Sequence, residues 1–129
     1  MNSTVAGLAD VRVREFLIRH PEADATRLPD GSWAVRVRDV ALDTAIWSKA
    51  TTTVAFFVPA AFPMARPDCF LADADLHHAN GTVTSNAQVN EQPHFGSMLW
   101  FSYHPTTWDI RDTVETYFRL IRQRLADPR

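Results

Sequence analysis

Apolar positions along the chain change their spacing from segment to segment, and the spacing predicts the elements. From Ala6 to Arg19, Leu8, Val11 and Ile18 fall near one helical face with Phe16 and Leu17 beside it, and His20-Pro21 stops the turn, so a short first helix is expected. Leu28-Pro29-Asp30-Gly31 is a turn signal, because proline presets one φ and glycine accepts a positive one, and a hairpin is expected there. Trp33 to Arg38 alternates large apolar residues with arginines, the pattern of a half-buried strand. Thr51 to Val58 is apolar or β-branched on both faces and stops at Pro59, which reads as the central strand.

Cys69-Phe70-Leu71-Ala72, after the proline-framed Phe62–Pro67, reads as a fourth strand. Ala74 to Phe95 is rich in Asn, His, Thr and Gln without a period, so a long structured loop is expected. Toward the end Ile110, Val114, Phe118, Ile121 and Leu125 recur at helical spacing, with Thr107 or Asp109 as the expected cap. Arg119, Arg122 and Arg124 suit the end of that helix and read as a solvated face. The order is that of an α+β fold: helix, four-stranded antiparallel meander, long loop, helix.

Composition narrows the class. The 129 residues fit one domain, 1–129, and 46% hydrophobic with 22% charged residues is the balance of a globular chain. A formal charge of −2 gives no electrostatic reason to expect nucleic acid or an anionic membrane as partner. The apolar run Val54 to Phe62 is far shorter than the ~20 residues of a membrane span. The segment MNSTVAGLADVRVREF lacks a basic head followed by an apolar run, so no signal peptide is expected. The single cysteine, Cys69, cannot form an internal disulfide, which suits a reducing cytoplasm.

Several local words then resemble one family, the ubiquitin-conjugating enzymes. Phe62-Pro63-Met64-Ala65-Arg66-Pro67 is similar to the family's Tyr-Pro-x-x-Pro-Pro corner, with phenylalanine for tyrosine, and Asp68-Cys69-Phe70-Leu71 follows as the fourth strand. His78-Ala79-Asn80-Gly81 resembles the His-Pro-Asn motif, with alanine for proline, and Trp108-Asp109-Ile110 resembles the tryptophan at the start of the later helix. Leu99-Trp100-Phe101-Ser102-Tyr103-His104 ahead of Trp108 is similar to a segment of the bacterial branch, prokaryotic ubiquitin-conjugating family E. The likeness covers about residues 25–126.

The resemblance implies a transferase that takes a ubiquitin-like protein from an activating enzyme and passes it to a target, in a bacterial setting that includes phage defence. It implies no cofactor, since ATP is used by the activating enzyme, and it gives Asn80 the role of steadying the oxyanion. Where the eukaryotic enzymes carry their nucleophilic cysteine, near Trp100 to Ser102, this chain has none.

The candidate nucleophiles are therefore Ser102, Cys69 or neither. Ser102 can accept an acyl group as an oxyester if a base takes its proton, and His104, two residues on in an extended segment, points the same way. The bland alternative is a serine bonded to nearby backbone and a histidine capping a turn before Pro105. Cys69 is the nucleophile by type, but inside a strand beside Phe70 it reads as a small buried hydrophobe. Asn80 before Gly81 fits a turn as well as it fits an oxyanion donor.

His77, His78, His94 and His104 lack metal-ligand spacing, so no metal is expected, and a histidine–metal hydrolase stands only as a remote third reading. Trp100, Phe101, Tyr103 and Trp108 read as core, and by the resemblance as walls of a groove for the partner's tail. The rival to the transferase is a non-catalytic binding module that kept the fold and lost the nucleophile.

Overall fold

The computed structural model describes residues 7–129. Its elements are α1 (Leu8–Arg19), β1 (Ala23–Arg27), β2 (Trp33–Ala41), β3 (Thr51–Val58), β4 (Phe70–Asp73), β5 (Ala87–Gln92), β6 (Gly96–Phe101) and α2 (Val114–Leu125). The strands form one antiparallel sheet in the order β1-β2-β3-β4-β6-β5. The α+β class stands, but the expected four strands are six: the second half of the expected loop folds with the aromatic segment into the β5–β6 hairpin. Pattern missed β5 because it is an edge strand, Ala-Gln-Val-Asn-Glu-Gln, with no fully buried position. Without a buried face there is no apolar alternation to read. Among the described residues no helix is long and apolar enough to cross a membrane.

The Leu28–Gly31 turn forms between β1 and β2, with Gly31 at φ +89° and Arg27 paired to Trp33. Thr51–Val58 is a strand with the expected bounds, and it is buried on both faces for two different reasons. Val54, Phe56 and Val58 face the main core with Phe16, Tyr117, Phe118 and Ile121 of the helices, while Ala55 joins Leu71 and Met98 under Phe57, Phe95 and Trp100 on the opposite face.

The helices pack differently from their sequence reading. In α1 the buried residues are Ala9, Val13 and Phe16, whereas Leu8, Val11 and Ile18 face solvent, Ile18 at 83% exposure. Ala6 lies outside the described residues. The core selected the i, i+4, i+7 row that carries a small residue at the close approach, and weighting positions by apolar size picked the neighbouring row.

Helix α2 starts at Val114, not near Thr107 or Asp109. Thr113 caps it: its hydroxyl accepts from the Thr116 amide, and the Thr116 hydroxyl accepts from the Thr113 amide at 3.0 Å. Asp109 is spent on Arg111, whose guanidinium holds its carboxyl down at about 2, and Ile110 is exposed ahead of the helix.

Arg124 is not on the wet face expected for it. It is only 8% exposed, and its Nη2 donates to Thr84 Oγ1 and to the Ser85 carbonyl, both at 3.0 Å. Its guanidinium lies 5.3 Å from the Phe101 ring centre, so the cation is covered by an aromatic face. The end of α2 is thereby tied to the strand that leads into the candidate site. Trp47 makes a second tie, donating from its buried indole to the Leu125 carbonyl at 2.7 Å.

Candidate active site

The pairing of β4 with β6 determines which side chains meet. Phe70 stands opposite Phe101, so the residues before β4, Asp68 and Cys69, leave the sheet beside those after β6, Ser102 to His104. The Cys69 amide donates to the Tyr103 carbonyl at 2.7 Å and the Ser102 amide to the Asn86 carbonyl at 2.8 Å. Cys69 has a φ of +61°, a left-handed conformation disfavoured for a residue with a side chain, and the surrounding bonds must hold it there.

One of those bonds comes from α2. The buried Tyr117 hydroxyl donates to the Cys69 carbonyl at 2.5 Å, and burial keeps that phenol protonated by pushing its pKa up. Trp108 donates from its indole to the Pro63 carbonyl at 3.0 Å, and Arg66 donates to the Pro105 carbonyl at 2.5 Å. The proline corner and the segment ahead of α2 are thus fastened on either side of the site. Tyr117→Phe keeps the ring and removes only the hydroxyl, leaving a partly buried carbonyl short of its donor. It should destabilise the protein by about 1–3 kcal/mol in urea denaturation, and an unchanged midpoint would show that the bond holds nothing.

Within this frame Ser102 Oγ lies 3.4 Å from His104 Nε2, and His104 Nδ1 lies 2.5 Å from Asp68 Oδ1. An ionised carboxylate only accepts, so Nδ1 carries the ring proton of the neutral imidazole and Nε2 is left as an acceptor facing the Ser102 hydroxyl. The arrangement is that of a nucleophile, a base and a group that orients the base. It is open to solvent, with the His104 and Asp68 side chains 54% and 52% exposed, which leaves room for an acyl donor as large as a protein.

The remaining candidates are placed apart or altered. Cys69 is not inside the strand, as its sequence reading had it, but just ahead of it and half-buried. Burial pushes its thiol up, and the neighbouring Asp68 adds to the shift, so the thiolate is disfavoured at neutral pH. Asn80 sits in an exposed turn in which its Oδ1 accepts from the Thr82 amide at 3.0 Å and the Thr82 hydroxyl at 2.7 Å. No described hydrogen bond joins it to Ser102 or His104.

The other histidines are dispersed. His77 Nδ1 meets the Asp75 carbonyl, His78 packs on Trp47 and bonds Thr82, and His94 lies against Phe95. Of the aromatic group, Phe101 is core, Trp100 faces the opposite side of the sheet, Tyr103 lies edge-on to Phe70, and Trp108 edge-on to Phe62.

Asp68 is the residue that the sequence reading missed. It lies 36 residues from His104, and no spacing rule joins two such positions. The signal that could have found it is the strand register, since pairing Phe70 with Phe101 forces their neighbours together.

Compared with known proteins, the chain is similar to one described family: the model for prokaryotic E2 family E matches residues 14–128. No curated protein and no solved structure matches it.

Proposed function

Because the chain belongs to prokaryotic E2 family E, matched over nearly its whole length, we propose that it accepts a ubiquitin-like protein from an activating enzyme as an oxyester on Ser102 and passes it to a target amine. The observation that carries this reading is the line of contacts from Asp68 through His104 to the Ser102 hydroxyl.

In the loading step Ser102 Oγ attacks the carbonyl carbon of the donor thioester while His104 Nε2 takes the hydroxyl proton. The new C–O bond forms, the C–S bond breaks, and the proton goes to the departing thiolate of the activating enzyme. In the discharge step the target amine attacks the oxyester carbonyl, its proton passes to His104 Nε2, and from there to Ser102 Oγ as the C–O bond breaks. Asp68 keeps the imidazole in the tautomer that can do both. By family resemblance alone, Asn80 is assigned as the donor to the oxyanion of each tetrahedral intermediate. The setting that the family suggests is a bacterial conjugation system, with phage defence among its uses.

The test is to incubate the protein with a cognate ubiquitin-like protein, its activating enzyme and Mg-ATP, and to weigh the products intact. The expected product is a covalent adduct that survives mild thiol, breaks in hydroxylamine and is absent with Ser102→Ala. An adduct lost only with Cys69→Ser would move the acyl group to the thiol. Absence of any adduct beside a working activating enzyme would favour the binding module.

A further inference from the structure

Asp68, Cys69 and His104 bring a carboxylate oxygen, a sulfur and a ring nitrogen within 4.8 Å of one another, and they form the one such three-residue group among the described residues. This is a mixed O, S, N donor set. A tetrahedral zinc ion takes these three donor types at roughly 2.0–2.3 Å, which puts ligand atoms on the order of 3.5 Å apart, with water as the fourth ligand.

Two features make the group more than a surface coincidence. The backbone of Cys69 is fixed from both sides, its amide on the Tyr103 carbonyl and its carbonyl on the Tyr117 hydroxyl, so the sulfur is presented from a held position at positive φ. Its thiol is half-buried and free of any disulfide, so the sulfur is available to a cation.

We propose that Asp68, Cys69 and His104 bind one zinc ion, and that its binding switches off the Ser102–His104 pair. Binding itself rests only on the three ligands; the switch rests on the transfer reading given above. The Cys69 thiol loses its proton to solvent as the Zn–S bond forms. His104 then bonds the metal through Nδ1, and the proton that Nδ1 held moves to Nε2. Nε2–H is a donor, so the nitrogen that faced Ser102 as a base can no longer accept from it. One proton is released in all, and no oxidant or reductant is involved.

The test uses the full chain and Co²⁺ as a spectroscopic probe. Titration should give a sulfur-to-cobalt charge-transfer band that saturates at one equivalent and collapses when one equivalent of Zn²⁺ is added. Cys69→Ser should abolish that band, and His104→Ala and Asp68→Asn should each weaken Co²⁺ binding at least tenfold, while His77→Ala leaves it unchanged. A band that survives Cys69→Ser, or binding that neither His104→Ala nor Asp68→Asn weakens, would overturn the site.

The switch is read separately, as adduct formation with and without one equivalent of Zn²⁺. Wild type should lose at least tenfold in loading rate and regain it with a chelator, whereas Cys69→Ser should load equally well in both conditions. The same variant controls for zinc acting on the activating enzyme. Equal inhibition of wild type and Cys69→Ser would overturn the switch and leave the metal site standing. Loss of all loading at Ser102 with intact Co²⁺ spectra would instead refute the transfer reading.

Discussion

Asp68→Asn should slow Ser102 loading by on the order of 10²–10⁴-fold while leaving the melting temperature nearly unchanged. The carboxylate lies 2.5 Å from His104 Nδ1 and is half-exposed, so it contributes little packing. Its contribution is to the tautomer. An asparagine can offer its NH₂ to Nδ1, which puts the ring proton on Nε2, facing Ser102 as a donor. The hydroxyl proton then has no acceptor within reach.

Asp68→Glu supplies the same charge one methylene further out and should recover part of the rate, which a purely structural role for Asp68 would not predict. Single-turnover loading followed by intact mass gives the rates. If Asp68→Asn loads as fast as wild type, His104 is not held by that carboxylate during the reaction and the orienting role is wrong.

The second large effect is on stability. Phe101→Ala should destabilise the protein by about 3–5 kcal/mol, a large share of the ~5–15 kcal/mol that holds a domain folded. The ring is 1% exposed and stacks on Phe70 with 4.4 Å between centroids and 12° between planes. It also meets Trp47 edge-on and lies under the Arg124 guanidinium. Deleting it leaves a cavity between the sheet and α2 and uncovers a buried cation whose Nη1 has no hydrogen-bond partner among the described residues.

Trp100→Ala, one residue earlier on the less covered face, removes a larger ring and should nevertheless cost less. Urea denaturation of both variants makes the comparison. A smaller loss for Phe101→Ala than for Trp100→Ala would mean that the helix-covered face is not the principal core.

The sequence was most legible where burial is one-sided or complete. β3 and the Leu28–Gly31 turn could be read because apolar runs and special φ values leave marks in single residues. β5 left no such mark, since an edge strand wet on most positions has a composition close to that of a loop. The face of α1 was misread because Ala9 buries well while carrying little apolar weight, and the start of α2 because Asp109 closes a local turn in place of a cap.

In the site the same division holds. Ser102 and His104 are near in sequence, and the two-residue repeat of an extended segment brings their side chains together. Asp68 and Cys69 reach them only through a register between strands that local pattern does not specify. The hydrogen bonds of Asn80 belong to its own turn, so its assigned role depends on the family and not on this geometry.

The bonds that frame the site also bear on when it comes into being. Asp68 and His104 are 36 residues apart, Pro63 and Trp108 are 45, and Cys69 and Tyr117 are 48. Each closes a long loop whose entropy is lost before the contact repays it, which puts such contacts late in folding. A chain still emerging from the ribosome would have its proline corner and its first four strands before Tyr117 existed to hold Cys69. The fully braced arrangement of Asp68, Cys69 and His104 is therefore confined to chains that have folded as far as α2, and a chain that has not yet presented Tyr117 lacks the bond that holds Cys69.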